Sequence, residues 1–342
     1  MKNQIDQQVV DLAQQMINIP SITGDEMAMG EFLANYFRQL GMVVTKQEAA
    51  TNRFNIFAHG EGHPNPSLIF NSHMDTVPPY FSAREDSEWI YGRGACDTKG
   101  IMAAILVAAQ QLIEERITDF GVLLVVGEEV NHLGILAANQ LKLTPDYLIV
   151  GEPTENSLIL REKGSVKVKL TSQGRSCHSG YPQYGASAIN PLVSALKELI
   201  DYPWPKDQER GETTLNVGTI QGGVAANVLA EQAEAVVMIR VSHSASEVLA
   251  VIDQITKQHE IEYQTILNSA PFSMDRLEGM PTGVVSFATD IPHFIHSGKT
   301  YLWGPGSIMH AHTAEEKIGK EEISQAVKTY IEMAKKLLIS TD

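Results

Sequence analysis

The chain has 342 residues, 43% of them apolar and 20% charged, which places it among ordinary globular proteins and excludes disorder as its main state. At ~150 residues per domain, that length predicts about two domains. The 41 Asp and Glu against 26 Lys and Arg give a formal net charge of −15 with no dense basic run, which argues against nucleic acid and anionic membrane surfaces as partners.

Val9, Leu12, Ala13, Met16 and Ile17 recur at helical spacing, as do Phe32, Leu33, Tyr36, Phe37 and Leu40, so two amphipathic helices open the chain. A strand-length apolar run follows at 67–71. The pattern then predicts a long helix over 101–117, a buried strand over 121–126, a helix over 134–141 and a second buried strand over 147–150. Unbroken apolar strands alternating with helices imply an α/β fold, a mostly parallel or mixed sheet flanked by helices. The character changes near residue 162. Residues 166–170 alternate strictly, as a strand with one wet face does. A helix over 186–200, strands over 213–220 and 233–241, a helix over 246–257 and a strand over 261–267 complete a β-α-β-β-α-β series. That order is the plan of a small ferredoxin-like α+β domain. A strand at 300–303 and a helix at 320–338 would rejoin the first domain. The expected organisation is a first domain made of residues 1–162 and 270–342, with 163–269 inserted in it as a second.

The chemistry-bearing residues sit at the ends of these runs. His73 and Asp75 follow the run at 67–71, Glu128 and Glu129 follow 121–126, and Glu152 follows 147–150. In open α/β sheets ligands bind beyond the carboxyl ends of the strands. If parallel, these strands bring one histidine and several carboxylates to one edge, and Asp97 joins them from the loop before the long helix. Taken singly, each has a structural reading: a packed His-x-Asp pair, helix-start glutamates meeting the macrodipole, a capping aspartate. Together they would repel strongly without a cation. His, Asp and Glu with no Cys suit Zn²⁺ at a catalytic site, with Co²⁺ or Mn²⁺ as alternatives. Two such ions would lie ~3.5–4 Å apart and share a carboxylate. Of the pair Glu128–Glu129, one can hold metal while the other takes a proton from water.

Other signatures fail. Gly298-Lys299-Thr300 lacks the earlier glycine of a P-loop, because position 293 is His293; Gly92 and Gly94 lack the third glycine of a dinucleotide fingerprint. No G-x-S-x-G elbow or H-E-x-x-H helix occurs. Cys96 and Cys177 are the two cysteines and form no C-x-x-C pair, so they build no disulfide framework. The polar, helix-patterned N-terminal run has no apolar signal core, and the longest apolar stretch, 101–109, is short of the ~18 residues of a spanning helix. A soluble, cytoplasmic protein is expected.

The segments SHMDTVP (72–78), GRGACDTKG (92–100), VGEEV (126–130) and GEPT (151–154) resemble the motifs of a family of dinuclear zinc metallohydrolases. That family includes acetylornithine deacetylase, succinyl-diaminopimelate desuccinylase, aminoacylases and glutamate carboxypeptidase-type peptidases. The likeness continues through CHSGYPQYGASAIN (177–190) and GGVAANVLAEQAEAVVMIRV (222–241) to GPGSIMHAHTAEEKI (304–318), nearly the whole chain. It implies that His73 and Glu152 hold one metal, Glu129 and His312 the other, and that Asp97 bridges them. Glu128 would be the general base and Asp75 would orient His73. The first domain would be the catalytic, metal-binding one and 163–269 a lid and dimerisation domain, from which His178 would steady the oxyanion, in dimeric members at the partner's site, while Asn227 and Arg240 would hold the substrate backbone and α-carboxylate. His310 also lies in this last segment; the acidic pair Glu315–Glu316 that follows favours His312 as ligand. Gly127 stands where many relatives carry Asp, and Asp290 where relatives place an acidic or small residue near the site. The resemblance implies an N-acyl amino acid deacylase, foremost an acetylornithine or acetylcitrulline deacetylase of arginine or lysine biosynthesis, acting as a homodimer on a small N-acyl amino acid or short peptide. Desuccinylase, aminoacylase and metallopeptidase readings stay open beside it. The rival from another class is a homologue that binds metal or an amino acid without catalysis, against which an intact Glu128 argues.

Overall fold

Strands Leu68–His73, Phe120–Val125 and Tyr147–Val150 are almost wholly buried, as unbroken apolar runs demand. In the computed structural model, which describes residues 2–339, they lie side by side and parallel, with Lys299–Leu302 as a fourth parallel neighbour. Across this part of the sheet the order is Val43–Ala50, Arg53–His59, Phe120–Val125, Leu68–His73, Tyr147–Val150, Lys299–Leu302 and Leu158–Glu162. The outer members pair antiparallel, which makes the sheet mixed. Leu68, Phe70, Val122 and Leu124 share one core with helices α1 (Lys2–Ile17), α2 (Met27–Gln39), α3 (Gly100–Glu114) and α8 (Lys320–Leu338). Helix α3 is apolar on every side through its first ten residues and is buried accordingly. Two short helices after the Phe120–Val125 strand, α4 (Glu128–Asn131) and α5 (Leu133–Ala138), follow, and α5 packs on the strands Val43–Ala50, Arg53–His59 and Phe120–Val125.

The chain divides into two compact units: 1–160 with 274–283 and 293–342, and 161–273 with 284–292. In the second, strands Thr214–Gly222, Gln232–Val241, Gly164–Gln173 and Glu262–Ser269 form an antiparallel sheet in that order. Helices α6 (Ile189–Asp201) and α7 (Ala245–Gln258) share a core with Val166, Val168, Leu170, Ala235, Val237 and Ile239. This is the expected ferredoxin-like series. Ser244 caps α7, its hydroxyl accepting the Glu247 N–H at 3.3 Å.

Some elements differ from the sequence expectation. The hairpin Val43–Ala50/Arg53–His59 was not predicted, because its outer strand is an exposed edge carrying Lys46, Gln47 and Glu48 instead of an alternating apolar face. Helix α6 begins at Ile189 and not 186: the Ala186 N–H instead donates to the Arg175 carbonyl in an extended bridge. The helix expected over 134–141 is α5 followed by a 3-10 turn, Asn139–Leu141. Among the described residues no helix is long and apolar enough to cross a membrane.

Candidate metal centre

The four parallel strands end at the same edge, and three of them lead directly to site residues: His73, the pair Glu128–Glu129, and Glu152. His73 is the last residue of its strand and 1% exposed. Its Nδ1 donates to the backbone carbonyl of Asp75 at 2.9 Å, which leaves Nε2 facing Asp97 Oδ1 at 3.0 Å and Glu152 Oε1 at 3.8 Å. Asp97 Oδ2 lies 3.2 Å from His312 Nε2, and Glu129 Oε2 lies 3.0 Å from that same nitrogen. The Asp97 carboxylate therefore stands between two imidazoles, one oxygen to each. His73, Asp97 and Glu129 each offer a ligand atom, all within 4.8 Å of one another.

The donor set fits a divalent cation. Three largely buried carboxylates, Asp97, Glu129 and Glu152, converge on two histidines, buried His73 and half-exposed His312. Burial disfavours a charge on His73, but Glu152, Asp75 and Asp97 together push its pKa well above the usual imidazole range. Hydrogen bonding to Asp97, then to Glu129, pushes His312 up to about 10 although burial opposes it. Burial also works against the Asp97 anion, yet His312 and His73 hold its carboxyl well below the ordinary value. Burial and the Asp97 charge raise Glu129. Protons on the imidazoles balance the negative field that a cation would balance. The residues that could hold metal are thus His73, Asp97, Glu129, Glu152 and His312.

The supporting residues explain why the ligands sit where they do. Asp75 is buried, and its carboxylate accepts the Thr23 hydroxyl at 2.7 Å and the backbone N–H groups of Glu128 and Glu129 at 3.1 and 3.3 Å. Its carboxylate is 3.5 Å from His73 Nδ1, farther than its own backbone carbonyl, so Asp75 orients His73 mainly through the main chain and fixes the glutamate pair with its side chain. Gly127, before that pair, has φ +75°, a left-handed conformation that an Asp would adopt only under strain, and a Cβ there would lie 2.8 Å from Arg53 Nη2. Thr98 donates to the His73 carbonyl at 2.7 Å, and Ser72 Oγ lies 2.9 Å from Thr98 Oγ1 and 3.0 Å from the Gly151 carbonyl, which ties three ligand-bearing segments together. The sequence reading missed Thr98, Ser72 and His132. His132 stands one helical turn beyond Glu128, a spacing visible in the sequence; its Nδ1 is 3.8 Å from Glu128 Oε1, and its ring stacks on His293 at 4.3 Å. His310 turns away from the cluster, its ring meeting Trp89 edge-on at 5.6 Å.

The remaining expected residues belong to the second unit. His178 Nδ1 accepts the Gly180 N–H at 3.0 Å, and its backbone bridges to Val228 while the Asn227 carbonyl accepts the Ser179 N–H at 2.9 Å, so His178 and Asn227 are neighbours on paired loops. Arg240 lies on the sheet face opposite the helices and donates to Ser165 Oγ at 2.6 Å. Asp290 is buried.

The sequence profile of a "Peptidase dimerisation domain" matches residues 160–264. A Schizosaccharomyces pombe protein described as "Peptidase M20 domain-containing" is 35% identical over 334 residues, covering 95% of this chain and 84% of the relative. The chain belongs to the M20 peptidase family. Its members hydrolyse peptide and amide bonds with the help of metal, and the chain is an enzyme of that kind. A protein of Paracoccidioides brasiliensis named "Probable carboxypeptidase" is also 35% identical, over 372 residues, with coverage of 95% and 84%. The fold of an M20 family metallo-carboxypeptidase from Sulfolobus solfataricus superposes with a TM-score of 0.80 at 17% identity, covering 97% of this chain and 99% of that one.

Proposed function

We propose that this M20 chain is a two-metal carboxypeptidase that cleaves the last bond of a short peptide and frees the C-terminal amino acid. The observation that carries the two-metal reading is Asp97, whose two oxygens face His73 and His312 at 3.0 and 3.2 Å. A carboxylate so placed is suited to bridging two cations. We assign His73 and Glu152 to one ion, Glu129 and His312 to the other, and Asp97 to both. Zinc suits this donor set best, and cobalt or manganese would accept it. When bound, such ions polarise a scissile carbonyl and acidify a water.

Glu128 is the assigned general base. Its neighbour Glu129 faces His312 across 3.0 Å, while Glu128 itself lies toward His132, so the adjacent carboxylates face different partners and suit different tasks. A Glu128 oxygen takes a proton from the attacking water and delivers it to the leaving amine nitrogen. Asp75 keeps that carboxylate in place by holding the Glu128 N–H. From the second unit, His178 is assigned to the developing oxyanion, Asn227 to the substrate backbone and Arg240 to the substrate α-carboxylate. The relatives named above include a probable carboxypeptidase, which moves the proposal from an acetylornithine or acetylcitrulline deacetylase to a peptidase.

The test is amino-acid release from N-blocked dipeptides, free dipeptides, N-acetylornithine and N-acetylcitrulline, with and without chelator. The expected result is chelator-sensitive release from the N-blocked dipeptides, reduced ~10²–10⁴-fold in Glu128→Gln. Release from the acetylated amino acids alone would return the assignment to a deacetylase, and near-normal turnover by Glu128→Gln would remove the general base.

The proposed assembly is a homodimer. Supporting it are the dimerisation-domain match and the edge strand Thr214–Gly222, which is mostly exposed and carries Ile220, with Val193 and Ile200 exposed on α6. Sedimentation velocity at micromolar concentration should give twice the chain mass; a monomer throughout would contradict it.

A further inference from the structure

Glu316 is fully buried, and its contacts reach the loop that carries Asp97. Its Oε1 accepts two consecutive backbone N–H groups, Cys96 and Asp97, each at 3.1 Å. Its Oε2 pairs with Arg93 Nη1 at 2.5 Å, and its own carbonyl accepts the Gly92 N–H at 3.0 Å. Arg93 is in turn fixed, with Nε donating to the Pro79 carbonyl at 3.1 Å and its guanidinium over the Phe81 ring at 5.1 Å. Glu316 stands four residues after His312, so one side chain couples the segment bearing His312 to the loop bearing Asp97.

We infer that Glu316, locked by Arg93, is the positioning residue that sets the Asp97 carboxylate between the two histidines before any metal arrives. This deepens the two-metal reading and rests on it. A buried carboxylate would gain nothing from this location through charge alone, because a further negative group beside three ligand carboxylates adds repulsion. What the location supplies is direction: two amides of the ligand loop converge on one carboxylate oxygen, Oε1, while Arg93 Nη1 holds the other, Oε2, and so fixes the plane of the group. The loop then reaches its metal-ready form without the ordering cost that a loose ligand segment carries.

The test is a cobalt titration of the full chain after chelator treatment, read by visible d–d absorption, for the wild type and two double variants. Arg93→Met with Glu316→Leu removes both charges together, avoiding an unpaired buried ion, and removes the acceptor for the two amides. Arg93→Met with Glu316→Gln also removes both charges but keeps a carbonyl oxygen for those amides. The expected result is two cobalt ions per wild-type chain, at least about tenfold weaker binding with an altered spectrum in the leucine variant, and recovery of most of that loss in the glutamine variant. Wild-type affinity and spectrum in the leucine variant would overturn the inference while leaving the metal reading intact. No cobalt uptake by the wild type would instead overturn the metal reading. A second measurement needs no variant: amide hydrogen exchange of the 93–99 segment should be as slow in the metal-free wild type as in the loaded form. Fast exchange that slows only on loading would show that the metal organises the loop, and would overturn the role of Glu316.

Discussion

His312 holds a proton more tightly than an ordinary imidazole because Asp97 and then Glu129 accept from it, with its pKa pushed up to about 10; His73 is raised for the same kind of reason. A histidine must be neutral to ligate, so metal uptake at neutral pH displaces these protons. The sign follows directly: metal-free protein binds more protons than loaded protein, so apparent affinity rises with pH until the imidazoles are already neutral. Calorimetric titration of zinc at pH 7.5 in buffers of different ionisation heat should report release of about two protons per chain, one from each histidine. Heats independent of buffer would show that the imidazoles are not the displaced groups. At this scale the sequence is informative wherever a residue's position relative to a strand end carries its meaning. His73, Glu128, Glu129 and Glu152 were visible in that way. The three-dimensional partners of Asp75, Thr98 and Glu316 were not, because hydrogen bonds between segments 25 to 220 residues apart leave no local pattern.

Strand Leu158–Glu162 ends on a buried carboxyl. Burial pushes the Glu162 pKa up to about 8; Thr289 works against the rise by donating to Oε2 at 2.8 Å, and Asp290 adds to it. Oε1 is buried and has no hydrogen-bond partner among the described residues. The folded state therefore binds this proton more tightly than the unfolded chain does. Its contribution to stability is full below the ordinary carboxyl value of 4.5 and is lost as pH rises through about 8. The loss amounts to ~1.4 kcal/mol for each tenfold difference in proton affinity. Glu162→Gln keeps an acceptor for Thr289 and cannot ionise. Thermal melts of the two proteins should diverge from pH 6 to pH 9, with the variant the more stable at the alkaline end; parallel curves would mean that Glu162 is not protonated in the fold. Elements whose burial matches one period were legible: α8 occupies the predicted 320–338 range. The edge strand Val43–Ala50 was not, because an exposed, charged edge carries little alternation and is specified by its partner Arg53–His59 instead.

Across the whole molecule, the expected α/β sheet and ferredoxin-like unit are both present, because each has a core of its own with a distinct period of burial. The net charge of −15 is compatible with a carboxylate-rich centre but does not locate it. Strand direction does: four parallel strands end together, and neighbouring loops must then share one edge. Family membership fixes the reaction class, and the particular substrate depends on groups outside the motifs. The central claim is that this edge holds two cations around Asp97. Crystals grown with zinc and measured on both sides of the zinc absorption edge test it most directly. Two anomalous peaks are expected ~3.5–4 Å apart, one on each oxygen of Asp97, with His73 and Glu152 on one and Glu129 and His312 on the other. A single peak, or peaks away from Asp97, would contradict it.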